Sequence, residues 1–133
     1  MDDAIHIGEV AGRTGLSLRT VRYYESVGLV TPSGRTEGGF RLYTEPDVQR
    51  LLLIRSLKAA DLTLERLEEL ITLRDHLRSD DPARATAAAH SRYHAIVEEA
   101  ALRIKIQRER LAAAELALEL LRSTVPARET ARD

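Results

Sequence analysis

A chain of 133 residues with a formal net charge of −1 has room for one small domain and an extension, and it carries no global excess of cations for unspecific binding of polyanions. The absence of cysteine removes disulfides, thiolate metal sites and thiol redox sensing together. No apolar run is long enough to span a bilayer, and the start MDDAIHIGEV lacks a basic segment followed by an apolar core, so a cytoplasmic protein with no membrane partner is expected.

From Gly8 to Leu29 two short helical patterns meet at Gly15-Leu16-Ser17. Val10 and Ala11 lie one helical turn beyond Ile7, and Gly15 follows the last periodic residue, where a left-handed conformation suits glycine. Ser17 is placed to cap the second helix, whose Leu18 and Val21 are expected to face inward while Arg19, Thr20, Arg22 and Tyr23 stay outside. Such a face suits a DNA major groove. Guanidinium forks match guanine edges and phosphates, and hydroxyls or rings tolerate close approach to sugars and thymine methyl groups. An ordinary solvated helix face is the alternative, and the pattern of this helix alone does not choose between them.

Beyond Gly28, LVTPSGRTEGGFRLYT reads as a small hairpin: Leu29 and Val30, a turn-rich run through Pro32, Gly34, Gly38 and Gly39, then a strand from Phe40 to Tyr43. Alternation along that strand predicts that Phe40 and Leu42 pack while Arg41 and Tyr43 are presented as a wing. The two stretches IGEVAGRTGLSLRTVRYYESVGL and RTEGGFRLYT together resemble the DNA-binding domain of the MerR family of bacterial transcription regulators, closely over roughly the first half of the chain and in layout beyond it. By that resemblance Arg19, Arg22 and Tyr24 contact the groove or its backbone, Arg35, Phe40, Arg41 and Tyr43 are wing positions, and Lys58 clamps a phosphate. Phe40 departs from the family's usual tyrosine and lacks the hydroxyl that would bond a phosphate. Tyr24 also fits a core role.

Thr44-Glu45-Pro46-Asp47 is a helix start: Thr44 can cap, Pro46 fits the first turn and Asp47 stands at the reciprocal position of a capping box. The third helix carries Val48, Leu51, Leu52, Ile54 and Leu57 inward and ends near Ala59-Ala60-Asp61. The family usually has glycine at this turn, so Asp61 is expected to adopt a left-handed conformation with some strain. Thr63 then caps a fourth helix running to about Arg78, with Leu64, Leu67, Leu70 and Ile71 facing the core and Leu77 a further candidate. Between Arg13 and Lys58 eight cations (Arg13, Arg19, Arg22, Arg35, Arg41, Arg50, Arg55, Lys58) stand against four anions (Glu25, Glu37, Glu45, Asp47), which places basic charge where DNA would lie.

Ser79-Asp80-Asp81-Pro82 marks a boundary. It divides the chain into a winged helix-turn-helix DNA-binding domain over 1–78, a dimerisation helix within 79–122 and a disordered tail over 123–133. From Ala83 to Arg122 there is no proline or glycine, and Val97, Ile104, Leu111 and Leu118 recur every seven residues, with Tyr93, Ala100, Gln107, Ala114 and Leu121 at the companion position. A helix of about 40 residues would be ~60 Å long, more than one small domain can cover. A second copy of the chain is the simplest partner for this seam, and folding back on its own domain is the alternative. Heptads do not fix strand direction; the resemblance implies antiparallel pairing across a two-fold axis, with Gln107 as a polar residue that helps set register. The expected fold is mainly α, a winged helix-turn-helix followed by a long dimerisation helix in an antiparallel coiled coil.

The resemblance further implies a homodimer that binds a palindromic operator within a promoter spacer and distorts the DNA so that RNA polymerase meets realigned promoter elements. An excisionase-like architectural factor would share the winged helix but usually lacks the long helix, and a coiled-coil adaptor would leave the basic wing unexplained. No nucleophile–base pair, phosphate-binding loop or metal motif stands out, so neither enzymatic activity nor a cofactor is expected. His90 and His94 share a helix face near His76, but zinc would need a third convergent ligand, and no metal is expected there. Two readings of the signal stay open: a small organic effector between the fourth helix and the dimer helix, beside Tyr93 and the apolar side of Leu70 to Leu77, or no effector, with the protein's own level as the signal.

Overall fold

Five helices and a small sheet follow one another in the computed structural model, which describes residues 4–128; residues 129–133 of the expected tail lie outside the described residues. The order is β1 (Ile5–His6), α1 (Ile7–Thr14), α2 (Leu18–Ser26), β2 (Gly34–Arg35), β3 (Arg41–Tyr43), α3 (Glu45–Lys58), α4 (Leu64–Arg78) and α5 (Ala87–Thr124). Local chemistry sets most of these limits. Gly15 ends α1 in the left-handed region at φ 71°, its N–H donating to the Ala11 carbonyl, and the Ser17 hydroxyl accepts the Thr20 N–H at the start of α2. The capping box of α3 is complete: Thr44 Oγ1 accepts the Asp47 N–H and the Asp47 carboxylate accepts the Thr44 N–H at 2.9 Å. Thr63 caps α4 by accepting the Arg66 N–H at 3.2 Å, and Asp61 does stand at φ 62°, a conformation strained for a side chain.

The helix α5 begins at Ala87, five residues past the proline expected to open it. Asp81 is the reason. Its side chain accepts the Ala83 N–H and its carbonyl accepts those of Arg84 and Ala85, which makes a separate turn, and Thr86 then caps α5 by accepting the Ala89 N–H. The far end runs through Thr124, past the expected limit at Arg122.

The three strands form an antiparallel sheet in the order β1-β3-β2, with Ile5 opposite Tyr43 and Arg35 opposite Arg41. Strand β1 is a two-residue element that periodicity did not reveal. Around the sheet, Val10, Val21, Tyr24, Leu29, Val30, Tyr43, Val48, Leu51, Ile54, Leu67 and Ile71 make the main core. A second, smaller core joins α4 to α5: Leu62, Leu70, Ile96 and Ala100 are buried, with Tyr93 and Val97 packed against them. An ion-pair ladder flanks it, Arg92 and Arg66 on Glu69, then Arg66 and Arg103 on Glu99. The Arg92 guanidinium holds the Glu69 carboxyl below the usual carboxylate range.

The expected seam is therefore corrected along its first half. Tyr93, Val97 and Ala100 pack on their own domain, because α4 presents Leu70 and Leu73 to them, and the Gln107 amide donates to the Ala59 carbonyl of its own chain at 3.2 Å. Ile96, outside the heptad, is fully buried there. Beyond Gln107 the seam stands open: Leu111, Ala114, Leu118 and Leu121 are exposed, and Ile104 sits at the border between the two halves.

Candidate nucleic-acid interface

Helix α2 is held by its apolar side and from behind. Val21 and Tyr24 enter the main core, the buried Thr14 hydroxyl donates to the Val10 carbonyl at 2.8 Å, and Arg55 from α3 donates to the Thr14 carbonyl at 2.9 Å. The guanidinium of Arg55 lies over Gly15, so the turn between α1 and α2 is clamped by the third helix. Arg19, Arg22 and Tyr23 project outward, and among the described residues neither arginine is engaged in an ion pair or hydrogen bond. Thr20 is half-buried, its hydroxyl 2.8 Å from that of Ser17. Leu18, expected inside, is 42% exposed. It stands about 90° round the helix from the Val21–Tyr24 side, where no element covers it.

The wing is turned over relative to the expectation from alternation. Its turn is closed by the Gly39 N–H donating to the Thr36 carbonyl, with Gly39 at φ 81°. Phe40, expected to pack, is 68% exposed at the tip, while Arg35 donates to the Gly39 carbonyl and braces the turn. Tyr43, expected to be presented, is fully buried because β1 pairs alongside it, and its hydroxyl donates to Glu25 at 3.2 Å. Arg41 forms an ion pair with the same carboxylate. The two residues thus fasten the wing to the end of α2 and are not free for DNA. Burial, reinforced by Glu25, pushes the Tyr43 phenol up to about 12, so it remains a neutral donor.

Tyr24 is corrected in the same sense: it is buried as a core residue, and the ammonium of Lys58 lies 5.7 Å from its ring centroid. The count of basic charge is also revised. Arg13 makes a bidentate pair with Glu45 at 2.6 Å, Arg50 bonds the Leu29 carbonyl and pairs with Asp75 at 2.7 and 2.8 Å, and Arg55 serves the turn. These cations tie the protein together. Arg19, Arg22, Arg35 and Lys58 are left, with Tyr23, Thr20 and Phe40, as the residues a duplex could meet. Formal charge alone does not distinguish the two sets. Glu45 opens α3, 32 residues beyond Arg13, so no local spacing signalled that pair.

Among the described residues no group of three or more metal-binding side chains occurs; His90 and His94 stack with ring centroids 6.4 Å apart. No helix among them is long and apolar enough to cross a membrane.

A helix-turn-helix with an adjoining wing, ahead of a long helix, is the architecture of DNA-binding transcription regulators. The chain belongs to the MerR family: the description "MerR HTH family regulatory protein" matches residues 5–73. It is 38% identical over 89 residues to the uncharacterized HTH-type transcriptional regulator PA4778 of Pseudomonas aeruginosa, a match covering 66% of this chain and 67% of that one. Its matches span 59%, 60% and 48% of other curated relatives, so the likeness leaves a large part of those proteins uncovered. Among solved structures it is similar to the transcription regulator PbrR691 from Ralstonia metallidurans CH34 in complex with lead(II), at 34% identity and a TM-score of 0.59 over 95% of this chain and 91% of that one. The fold is also that of HiNmlR, a MerR family regulator lacking the sensor domain, bound to promoter DNA; the TM-score is 0.71 at 23% identity, covering 91% of this chain and 86% of that one.

Proposed function

We propose that this protein is a cytoplasmic homodimer that binds a palindromic promoter site through α2 and the wing, and controls transcription by RNA polymerase by distorting the DNA between the promoter elements. The observation that supports this most is the outward face of α2, where Arg19, Arg22 and Tyr23 stand unengaged on a helix clamped from behind by Arg55. A rigid helix presenting free guanidinium forks is what reading guanine edges and phosphates needs. Phe40 at the wing tip offers an apolar contact to sugar or base in place of a hydroxyl bond to phosphate. Lys58 supplies a cation at the end of α3.

The open half of α5 supplies the second-copy contact. Leu111, Ala114, Leu118 and Leu121 form an unpartnered stripe, and an antiparallel partner would bury it while pointing the two α2 helices at successive major grooves. Among the described residues the 38-residue length of α5 has no use in a monomeric DNA-bending accessory factor, so that alternative is disfavoured. Bending a site by tens of degrees costs about 1 to 6 kcal/mol, which contacts from both wings must offset.

The test is to capture genomic fragments with the purified protein, sequence them and locate the sites relative to promoters. Inverted repeats within unusually long promoter spacers are the expected result. Sites scattered without that placement, or gathered at recombination ends, would overturn the reading.

A further inference from the structure

A pocket of about 270 Å³ opens between the end of α4 and the start of α5, lined by Arg74, Leu77, Arg78, His90, Tyr93 and His94. Its lining is chemically one-sided. In a chain with 21 acidic residues, no carboxylate faces this space, whereas two guanidinium groups enter from α4 and two imidazoles from α5, each pair at a spacing of four that puts both members on one helix face. Leu77 and the ring of Tyr93 supply an apolar floor, and Tyr93 holds His94 edge-on at 5.6 Å between centroids.

Among the described residues neither Arg74 nor Arg78 has an ion-pair partner. Of the carboxylates around them, Asp75 is committed to Arg50, Asp47 to the α3 cap and Asp81 to Arg84 and the Ala83 N–H, and Asp80 does not line the pocket. Unsatisfied guanidinium forks beside imidazole N–H groups select a planar anion, and a carboxylate fits the fork with two parallel hydrogen bonds. The apolar floor selects a compact ring or short hydrocarbon on the carboxylate.

We infer that this pocket binds a small organic carboxylate with a compact apolar body. The carboxylate lies between Arg74 and Arg78 on one side and His90 and His94 on the other, and the body rests on Leu77 and Tyr93. Such a ligand would bridge α4, part of the DNA-binding domain, to α5. On the proposed function it would bias the angle between that domain and the dimer helix, and so the separation of the two recognition helices.

Calorimetric titration of the full chain without DNA, using benzoate, benzyl alcohol and inorganic phosphate as probes, tests the binding itself apart from any operator reading. Benzoate is expected to saturate with a Kd of about 1 mM or tighter, with benzyl alcohol, which lacks the charge, and phosphate, which lacks the body, about tenfold weaker or more. The double variant Arg74→Gln, Arg78→Gln should lose about tenfold in benzoate affinity while keeping its thermal melt, since Arg78 is exposed, Arg74 is only half-buried, and glutamine keeps most of the side-chain stem. Benzoate should also shift the ring-proton resonances of His90 and His94. Absence of saturable benzoate binding, phosphate binding as tightly, or a double variant that binds as well as the parent would overturn the assignment.

Discussion

Arg22 and Arg13 carry the same side chain on neighbouring helices, yet their surroundings give them opposite tasks. Arg22 has no protein partner among the described residues and faces outward, so its replacement touches binding alone. Arg22→Ala is expected to weaken binding to a captured operator by about 1 to 3 kcal/mol, read by fluorescence anisotropy at physiological salt, with the melt unchanged. Arg13 spends both guanidinium arms on Glu45, and this bonding, with a further hydrogen bond from Gln49, lowers the Glu45 carboxyl from the ordinary value of 4.5 to about 2. A folded-state value below the unfolded one means that the contact stabilises the fold above about pH 4.5 and fades as pH falls toward 2. Urea midpoints measured across that window should fall less steeply for Glu45→Gln than for the parent; parallel curves would remove Glu45 from the acid response.

At the level of elements, helices were legible and the wing was not. Ser17, Thr44 and Thr63 each cap the helix their position announced, and Gly15 ends α1 as its place in the pattern required, because caps are decided within four residues. The wing strand has three residues, too few for a period of two to show its phase, and its inner side was fixed by pairing with Ile5 and His6 far back in the chain. The same limit hid the tasks of Arg41 and Tyr43, which depend on Glu25 lying across the gap. In α5 the heptad is real as a pattern, but its first half meets α4 of the same chain before any partner, and only the packing shows where one use ends and the other begins. Leu111 lies beyond that border and is 59% exposed, so Leu111→Asp leaves the domain intact. Sedimentation should then show monomer with loss of operator affinity, because a charge in the seam resists burial; a persistent dimer would contradict the assignment of that stripe.

Taken whole, the molecule has almost no net charge, and its affinity for DNA must come from a few well-placed cations. Lys58 stands apart from the proposed groove-reading face of α2, at the end of α3. Lys58→Ala should weaken binding to all sequences alike and flatten the dependence of log affinity on log salt by roughly 1 per protomer, whereas a change confined to one operator would make Lys58 a base reader. The geometry of α5 has one more outcome, set by concentration. From residue 108 to 124 the helix leaves its own domain and extends about 25 Å with every residue exposed. A solitary helix end of that kind has only its own hydrogen bonds to hold it, so it frays and admits proteases until a second chain lies against it. With the proposed dimer, chains that have not found a mate are expected to be cleaved first, so limited proteolysis at falling protein concentration should cut within residues 108–124 before anywhere else in the described chain. The length of an uncovered helix then sets how much protein must be made before the pool survives.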